Sequence, residues 1–378
     1  MKRYHLLIDC TALNHAQNLI SLDFYTVRLI KGFNNSDVFQ VYALVCKKNE
    51  ILLDKLVGFE VPKIVIEDKW HVTPWPQLDR LLGIIPFKNE LEAKEIDVTL
   101  MPHHFMCNFF FGKKYHQHLI VQDMIPYNLM KEKGKFWYLQ WRFFHKLLMR
   151  KVKHYISISE ETQKELKRIE GKDSEVVYNS LPFDFSLEES VVDCVKDIHY
   201  VLYVSRFAKY KNAETLIRAF ASIKDDIAHV LYLKGDKNQS EDYLELKKLI
   251  SDLNLEDRVI LDRQYRSEGE MKYLYSHTDL FVHPSLIEGF GWTPIEAAVS
   301  KAPVIVSNID VMKEVTCGKI PVFDPYSSED LAAKMLDILN NPPSDDEREQ
   351  LKVFFLQKYS LKNQIDRMTE VIIGNLKK

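Results

Sequence analysis

Glycine is scarce in this chain: 12 residues in 378, about half the usual share of roughly 7%. No low-complexity tract or internal repeat is present, and the single Gly-x-Gly, at Gly289 and Gly291, stands out for that reason. Cysteine is sparse too. Cys10, Cys46, Cys107, Cys194 and Cys317 are odd in number, widely spaced and never in a C-x-x-C arrangement, which argues against a zinc ribbon or redox pair and for reduced thiols in a cytoplasmic protein. No run approaches the roughly 18 to 20 apolar residues of a membrane-spanning helix. Met1-Lys2-Arg3 leads directly into a short apolar strand without a cleavage signal, so a soluble protein is expected, one still able to touch a membrane surface. A net charge of −3, with basic residues scattered rather than striped, argues against a nucleic-acid partner.

The composition is that of a globular protein, 46% hydrophobic and 28% charged. A single core stops growing at roughly 250 to 300 residues, so two domains are expected. Short β-branched and aromatic runs at Tyr4–Asp9, Phe39–Cys46, Ile96–Met101, Leu119–Asp123 and Tyr155–Ser159 alternate with amphipathic stretches. The pattern restarts at His199–Ser205, His229–Gly235, Arg258–Asp262, Asp279–Pro284 and Pro303–Ser307. Two Rossmann-like α/β domains follow, 1–182 and 199–358, with an acidic linker over 183–198 and a last helix over 359–378. Ligands of open parallel sheets bind beyond the carboxyl ends of the strands, so a site is expected in a cleft where the domains face each other.

The chemistry concentrates in two segments. Pro284–Glu296 (PSLIEGFGWTPIE) leaves a strand and enters a helix, with glycines that admit close backbone approach and helix N–H groups that suit an anion. Its carboxylates, Glu288 and Glu296, suit hydroxyl groups; read alone, they serve equally as solvated charges at a helix start. Ser205–Asn212 (SRFAKYKN) also leaves a strand. Arg206 and Lys211 converge from this loop as a diphosphate would require, while the loop taken alone reads as a basic turn before a helix capped by Asn212.

Together these segments resemble the E-x7-E and R-x4-K-[GN] elements of the family 4 glycosyltransferases. The resemblance is strongest from about Val201 to Ser307 and implies the GT-B fold and sugar transfer with retention of configuration. It places the donor sugar on Glu288, the ribose on Glu296, the diphosphate on Arg206 and Lys211, and the sugar and phosphates against Gly289, Phe290 and Gly291. Gly235 matches the family's strand-ending glycine turn. The family likeness further implies a nucleoside-diphosphate sugar as donor, a glycan or lipid-linked glycan as acceptor, no required metal or other cofactor, surface-polysaccharide assembly as the setting, and a final helix returning to the first domain.

The first half departs from that pattern. No glycine lies in 16–25, where relatives have a small or glycine-rich loop, and Gln122 stands where they often have histidine before Asp123. Glutamine hydrogen-bonds but takes no proton, so Asp123 is either a functional group or a turn residue ahead of Pro126. This departure motivates the alternative of a non-catalytic nucleotide-sugar-binding subunit; an epimerase or phosphorylase on the same scaffold is a further one. His103 and His104 read as acceptor-side or loop residues, since their spacing with His116 and His118 fits no standard metal site. The basic, aromatic segment 133–153 suits peripheral contact with an anionic membrane face, or a packed helix with Trp137, Trp141, Phe144 and Leu148 as its core face. Trp70 and Trp75 read as packing residues.

Overall fold

A computed structural model of the chain describes residues 3–13, 21–68, 84–104, 109–111, 113–127, 135–182, 186–237 and 239–377. Within the helix Lys135–Met149 several side chains, including Trp137, Trp141, Phe144 and Leu148, lie outside the described set, as do Trp70, Trp75, Cys107 and residues 16–20; residues 21–25, expected in a loop, instead open the helix Ser21–Asn34. The chain forms two compact units, Met1–Pro182 with Leu361–Lys378, and Phe183–Ser360.

Among the described residues the first unit carries a parallel sheet of seven strands: β1 (Tyr4–Asp9), β2 (Phe39–Cys46), β3 (Lys63–Ile66), β4 (Val98–Met101), β5 (His118–Val121), β6 (His154–Ser157) and β7 (Glu175–Val176). Their order is β3-β2-β1-β4-β5-β6-β7. β4 and β5 are buried along their whole length, and most of the other strand positions are too, as in a sheet covered on both faces. Local signals delimit the helices. Glu160–Glu170 starts on Ser159, whose hydroxyl accepts the Thr162 N–H, and stops at Gly171, with φ of 66°.

The helix Leu361–Leu376 belongs to this unit although it follows the other in sequence. It lies on the helix Ser21–Asn34 so closely that a Cβ on Gly32 would sit 2.4 Å from Ile365 Cγ1. Gln364 donates to the Tyr25 hydroxyl (3.3 Å), and the Asn375 amide meets His118 Nε2 at 3.2 Å.

The second unit holds six parallel strands: β8 (Tyr200–Val204), β9 (Val230–Lys234), β10 (Val259–Asp262), β11 (Leu280–His283), β12 (Val304–Ser307) and β13 (Val322–Phe323). Their order is β10-β9-β8-β11-β12-β13. Its core joins Val201, Tyr203, Leu231, Leu233, Leu280 and Val282 of the strands to Leu216, Ile217 and Phe220 of the helix Ala213–Ile223. Residues 186–198, expected as a bare linker, are instead held on this unit. Ser190 N–H donates to Gly269 O (3.1 Å), Lys272 donates to Leu187 O (2.7 Å), and Val192 and Val195 are buried. The alternation Leu187, Val191, Val192, Val195 among acidic residues is too irregular to read as an element, yet it supplies two apolar anchors.

Candidate functional site

In an open parallel sheet whose order runs outward from a central first strand, the loops after the two strands at the reversal diverge and leave a crevice. In the second unit that reversal lies between β8 and β11. The loop after β8 carries Arg206 and Lys211; the loop after β11 carries Glu288, Gly289 and Gly291. Two segments far apart in sequence are therefore neighbours by topology. Backbone bonding ties them together, because Leu286 N–H donates to Tyr210 O at 2.8 Å.

Asn212 fastens the same junction. Its φ of 57° is left-handed, and its side chain does not cap the helix Ala213–Ile223. The amide instead donates to Pro284 O (3.0 Å) and Pro325 O (2.8 Å), while its oxygen accepts from Thr215 (2.8 Å). This corrects the capping reading and explains why glycine or asparagine suits the position: both tolerate the left-handed conformation.

At the centre of the junction, Lys211 Nζ meets Glu288 Oε1 at 2.5 Å, with side chains 11% and 9% exposed. His283, the last residue of β11, places Nε2 3.0 Å from the same oxygen and Nδ1 3.2 Å from the Thr293 hydroxyl. Burial alone would raise the Glu288 carboxyl, but the Lys211 ammonium and His283 outweigh it and hold it well below the usual carboxylate range. Glu288 is thus an ionised group at neutral pH. Burial excludes the solvated helix-start reading for both acids, since Glu296 is also buried and accepts from the Tyr275 hydroxyl at 2.7 Å.

Arg206 is exposed, and its guanidinium donates to the Tyr210 hydroxyl at 2.6 Å. Lys209, the other basic residue of the loop, is paired with Glu245 at 3.3 Å on the surface, whereas Lys211 is the one turned inward. Gly291, with φ of 84°, opens the helix Trp292–Val299, whose start has no side-chain cap. A Cβ there would lie 2.3 Å from Met312 Cε. Phe290 is buried with its ring edge-on to Tyr359 (5.4 Å between centroids). Gly235 follows β9, where a Cβ would lie 2.1 Å from the Phe207 ring, so its bareness serves packing of the β8 loop.

His283, Tyr275 and Tyr210 escaped the sequence reading. The signal for His283 was available: it is the terminal residue of the strand that feeds the E-x7-E loop.

In the first unit, Gln122 follows β5 and donates to Pro102 O (3.1 Å) beyond β4. It also bonds the Tyr25 hydroxyl. Asp123 Oδ1 accepts the Ile125 N–H at 2.9 Å, the geometry of an Asx turn. His103 and His104 are buried rather than loop-exposed. His103 Nε2 lies 3.2 Å from the Thr26 hydroxyl, and burial, partly opposed by Asp23, pushes its pKa down to about 4. His118 stacks on His154 (4.8 Å), and among the described residues these histidines form no metal-ligating group with His103 or His104. In the helix Lys135–Met149, His145 and Met149 are buried while Leu139 and Phe143 are exposed.

Residues 191–353 match the profile of the family described as glycosyl transferases group 1. A curated relative, the O-antigen chain mannosyltransferase RfbU of Salmonella typhimurium, is 30% identical over 177 residues, covering 46% of this chain and 47% of its own. The N-acetylgalactosaminyltransferase of Campylobacter jejuni that acts on N-acetylgalactosamine-N,N'-diacetylbacillosaminyl-diphospho-undecaprenol is 27% identical over 201 residues, 52% of each chain. This chain spans about half the length of the curated relatives it matches. Among solved structures, the sucrose-phosphate synthase of Thermosynechococcus elongatus superposes with a TM-score of 0.71 at 17% identity, covering 98% of this chain and 100% of that one. Anabaena HepE in complex with UDP and glucose superposes with a TM-score of 0.68 at 18% identity and the same coverages. With its two Rossmann-ordered parallel sheets the chain has the GT-B fold, and its likeness to the group 1 glycosyl transferases lies in residues 191–353, within the second unit.

Proposed function

We propose that the chain is a retaining glycosyltransferase that moves a hexose-type sugar from a nucleoside-diphosphate sugar to a glycan or lipid-linked glycan acceptor in surface-polysaccharide biosynthesis. The observation that carries the reading is the buried Lys211–Glu288 pair at the β8/β11 reversal, beside an exposed Arg206 and an uncapped helix start at Gly291. A cation, a second cation and a helix N-terminus without a side-chain cap at one crevice suit a diphosphate, and an ionised carboxylate suits sugar hydroxyls. Relatives named as mannosyl- and N-acetylgalactosaminyltransferases, and a fold neighbour holding UDP and glucose, support the substrate class.

In this scheme Arg206 and Lys211 hold the diphosphate and take up charge as the bond from the anomeric carbon to phosphate oxygen breaks. Glu288 contacts the sugar ring, and Glu296 accepts hydrogen bonds from the ribose hydroxyls. The acceptor hydroxyl attacks on the face the diphosphate leaves, and its proton passes to a phosphate oxygen of the leaving group. Protein cations meet the diphosphate, so no divalent ion is required. Gly289 and Phe290 line the same loop.

Thermal-shift and calorimetric titration of UDP, GDP, dTDP and their common sugars against wild type and Glu296→Ala tests the reading. One nucleotide that binds wild type and is lost in the variant supports it; binding by none of them sinks the donor site. Gln122, fixed by Pro102 O and Tyr25 where relatives often have histidine, favours a second reading as a nucleotide-sugar-binding subunit. Donor binding with no turnover except beside a partner protein would select that one.

A further inference from the structure

The opposite end of the second unit's sheet carries a cluster that the donor-site reading does not use. His199, His229 and Asp279 each stand immediately before a strand, β8, β9 and β11, which are adjacent in the order β9-β8-β11. Parallel pairing therefore brings three residues, separated by 30 and 50 positions in sequence, to one edge. Their ligand atoms all lie within 4.8 Å of one another. His199 Nδ1 is 3.0 Å and His229 Nε2 3.6 Å from the same oxygen, Asp279 Oδ2.

We propose that these three residues bind a divalent transition-metal ion of the zinc class, at a site separate from sugar transfer. Two imidazoles and one carboxylate are the donor set such ions take, and ligand atoms about 2.0 to 2.2 Å from a tetrahedral ion lie roughly 3.4 Å apart. The two distances to Asp279 already bracket that value. The wider separation between the imidazoles closes by rotation of His199, whose side chain is 73% exposed.

His229 gives the strongest indication. Its side chain is 17% exposed, its Nε2 stops short of hydrogen-bonding distance from Asp279, and its Nδ1 is buried without a partner among the described residues. Nε2, the nitrogen on the Asp279 side, thus has no hydrogen bond among the described residues to lose when it takes an ion. Asp279 is positioned for the role, since its Oδ2 also accepts the Tyr200 N–H at 3.2 Å and its own N–H donates to Tyr200 O at 3.1 Å.

Two features weaken the affinity. Nδ1 of His229 would carry the ring proton with no acceptor to orient it, so the outer support usual for a metal-bound histidine is missing. Arg258, whose guanidinium donates to the His229 carbonyl (2.7 Å), adds a nearby positive charge. The remaining positions of the ion would be filled by water at the exposed side of His199.

The test uses tag-free, chelator-stripped full-length protein titrated with Zn2+ by calorimetry and with Co2+ by visible ligand-field absorption, comparing wild type, His199→Ala and His229→Gln. The expected result is one saturable equivalent in wild type, an at least tenfold weaker affinity in each variant, and a thermal shift with Zn2+ of several degrees that His199→Ala abolishes. His199→Ala removes an exposed ring, so a folding failure of His229→Gln leaves the comparison intact. No saturable binding to wild type, or equal binding to wild type and His199→Ala, overturns the proposal. Because the cluster sits at the amino ends of the strands and the donor residues at the carboxyl ends, chelation should leave nucleotide binding unchanged.

Discussion

Replacing Glu288 by glutamine keeps the side chain's volume and removes its charge, which leaves the Lys211 ammonium buried against an amide. Lys211 and Glu288 are 11% and 9% exposed and 2.5 Å apart, so neither is compensated by bulk water. Breaking such a pair from one side costs about 3 to 5 kcal/mol, more than its net contribution when both partners are removed. For a domain of 150 to 250 residues each kcal/mol moves the midpoint by roughly 2 to 4 °C, so Glu288→Gln should melt about 10 °C below wild type at neutral pH. Lys211→Met should behave similarly, and the double variant should recover about 2 kcal/mol relative to the sum of the singles. The effect has a fixed sign with pH. The folded-state pKa of Glu288 lies below its unfolded value, so its contribution is complete above the usual carboxylate range and disappears as pH falls below it. The gap between wild type and Glu288→Gln should therefore narrow on acidification. Circular-dichroism melts across pH 3 to 8, with urea titration of the double-variant cycle, measure all of this. A Glu288→Gln midpoint within about 2 °C of wild type would refute the claim that this pair is mutually compensating.

Arg206→Ala should leave the stability within about 0.5 kcal/mol of wild type, since the group is exposed, yet lower kcat/KM by about a hundredfold or more if it meets the leaving diphosphate; steady-state kinetics beside a melt separates the two. Asn212→Ala should cost about 2 to 3 kcal/mol through strain at φ of 57° and two lost bonds to carbonyls, and Asn212→Gly distinctly less, by urea denaturation. Gly235→Ala should cost about 1 to 3 kcal/mol by forcing the Phe207 ring aside, read as a lower midpoint even in the absence of nucleotide.

Much of the fold could be read from sequence because its signals are local. Leu361–Leu376 and the strands β1 and β2 carry their own periodicity, and the expected strands of the second unit fall within a residue of their observed ends. The strands β7 and β13 were not legible, because two residues carry too little pattern to distinguish them from a loop.

The residue types of the crevice between β8 and β11 were settled by the sequence alone: a cationic loop after one strand, and a glycine-interrupted acidic loop after another. Tertiary structure decided what those residues do to one another. Strand order alone sets β8 beside β11, and only then does Lys211 neutralise Glu288, His283 join the pair, and Asn212 tie the two loops through carbonyls more than 70 residues away. The same order gathers His199, His229 and Asp279, three unremarkable letters at the starts of strands, into one cluster. Sequence spacing governs contacts along a helix or strand, but contacts across a sheet depend on which strands pair, and that is a property of the packed domain.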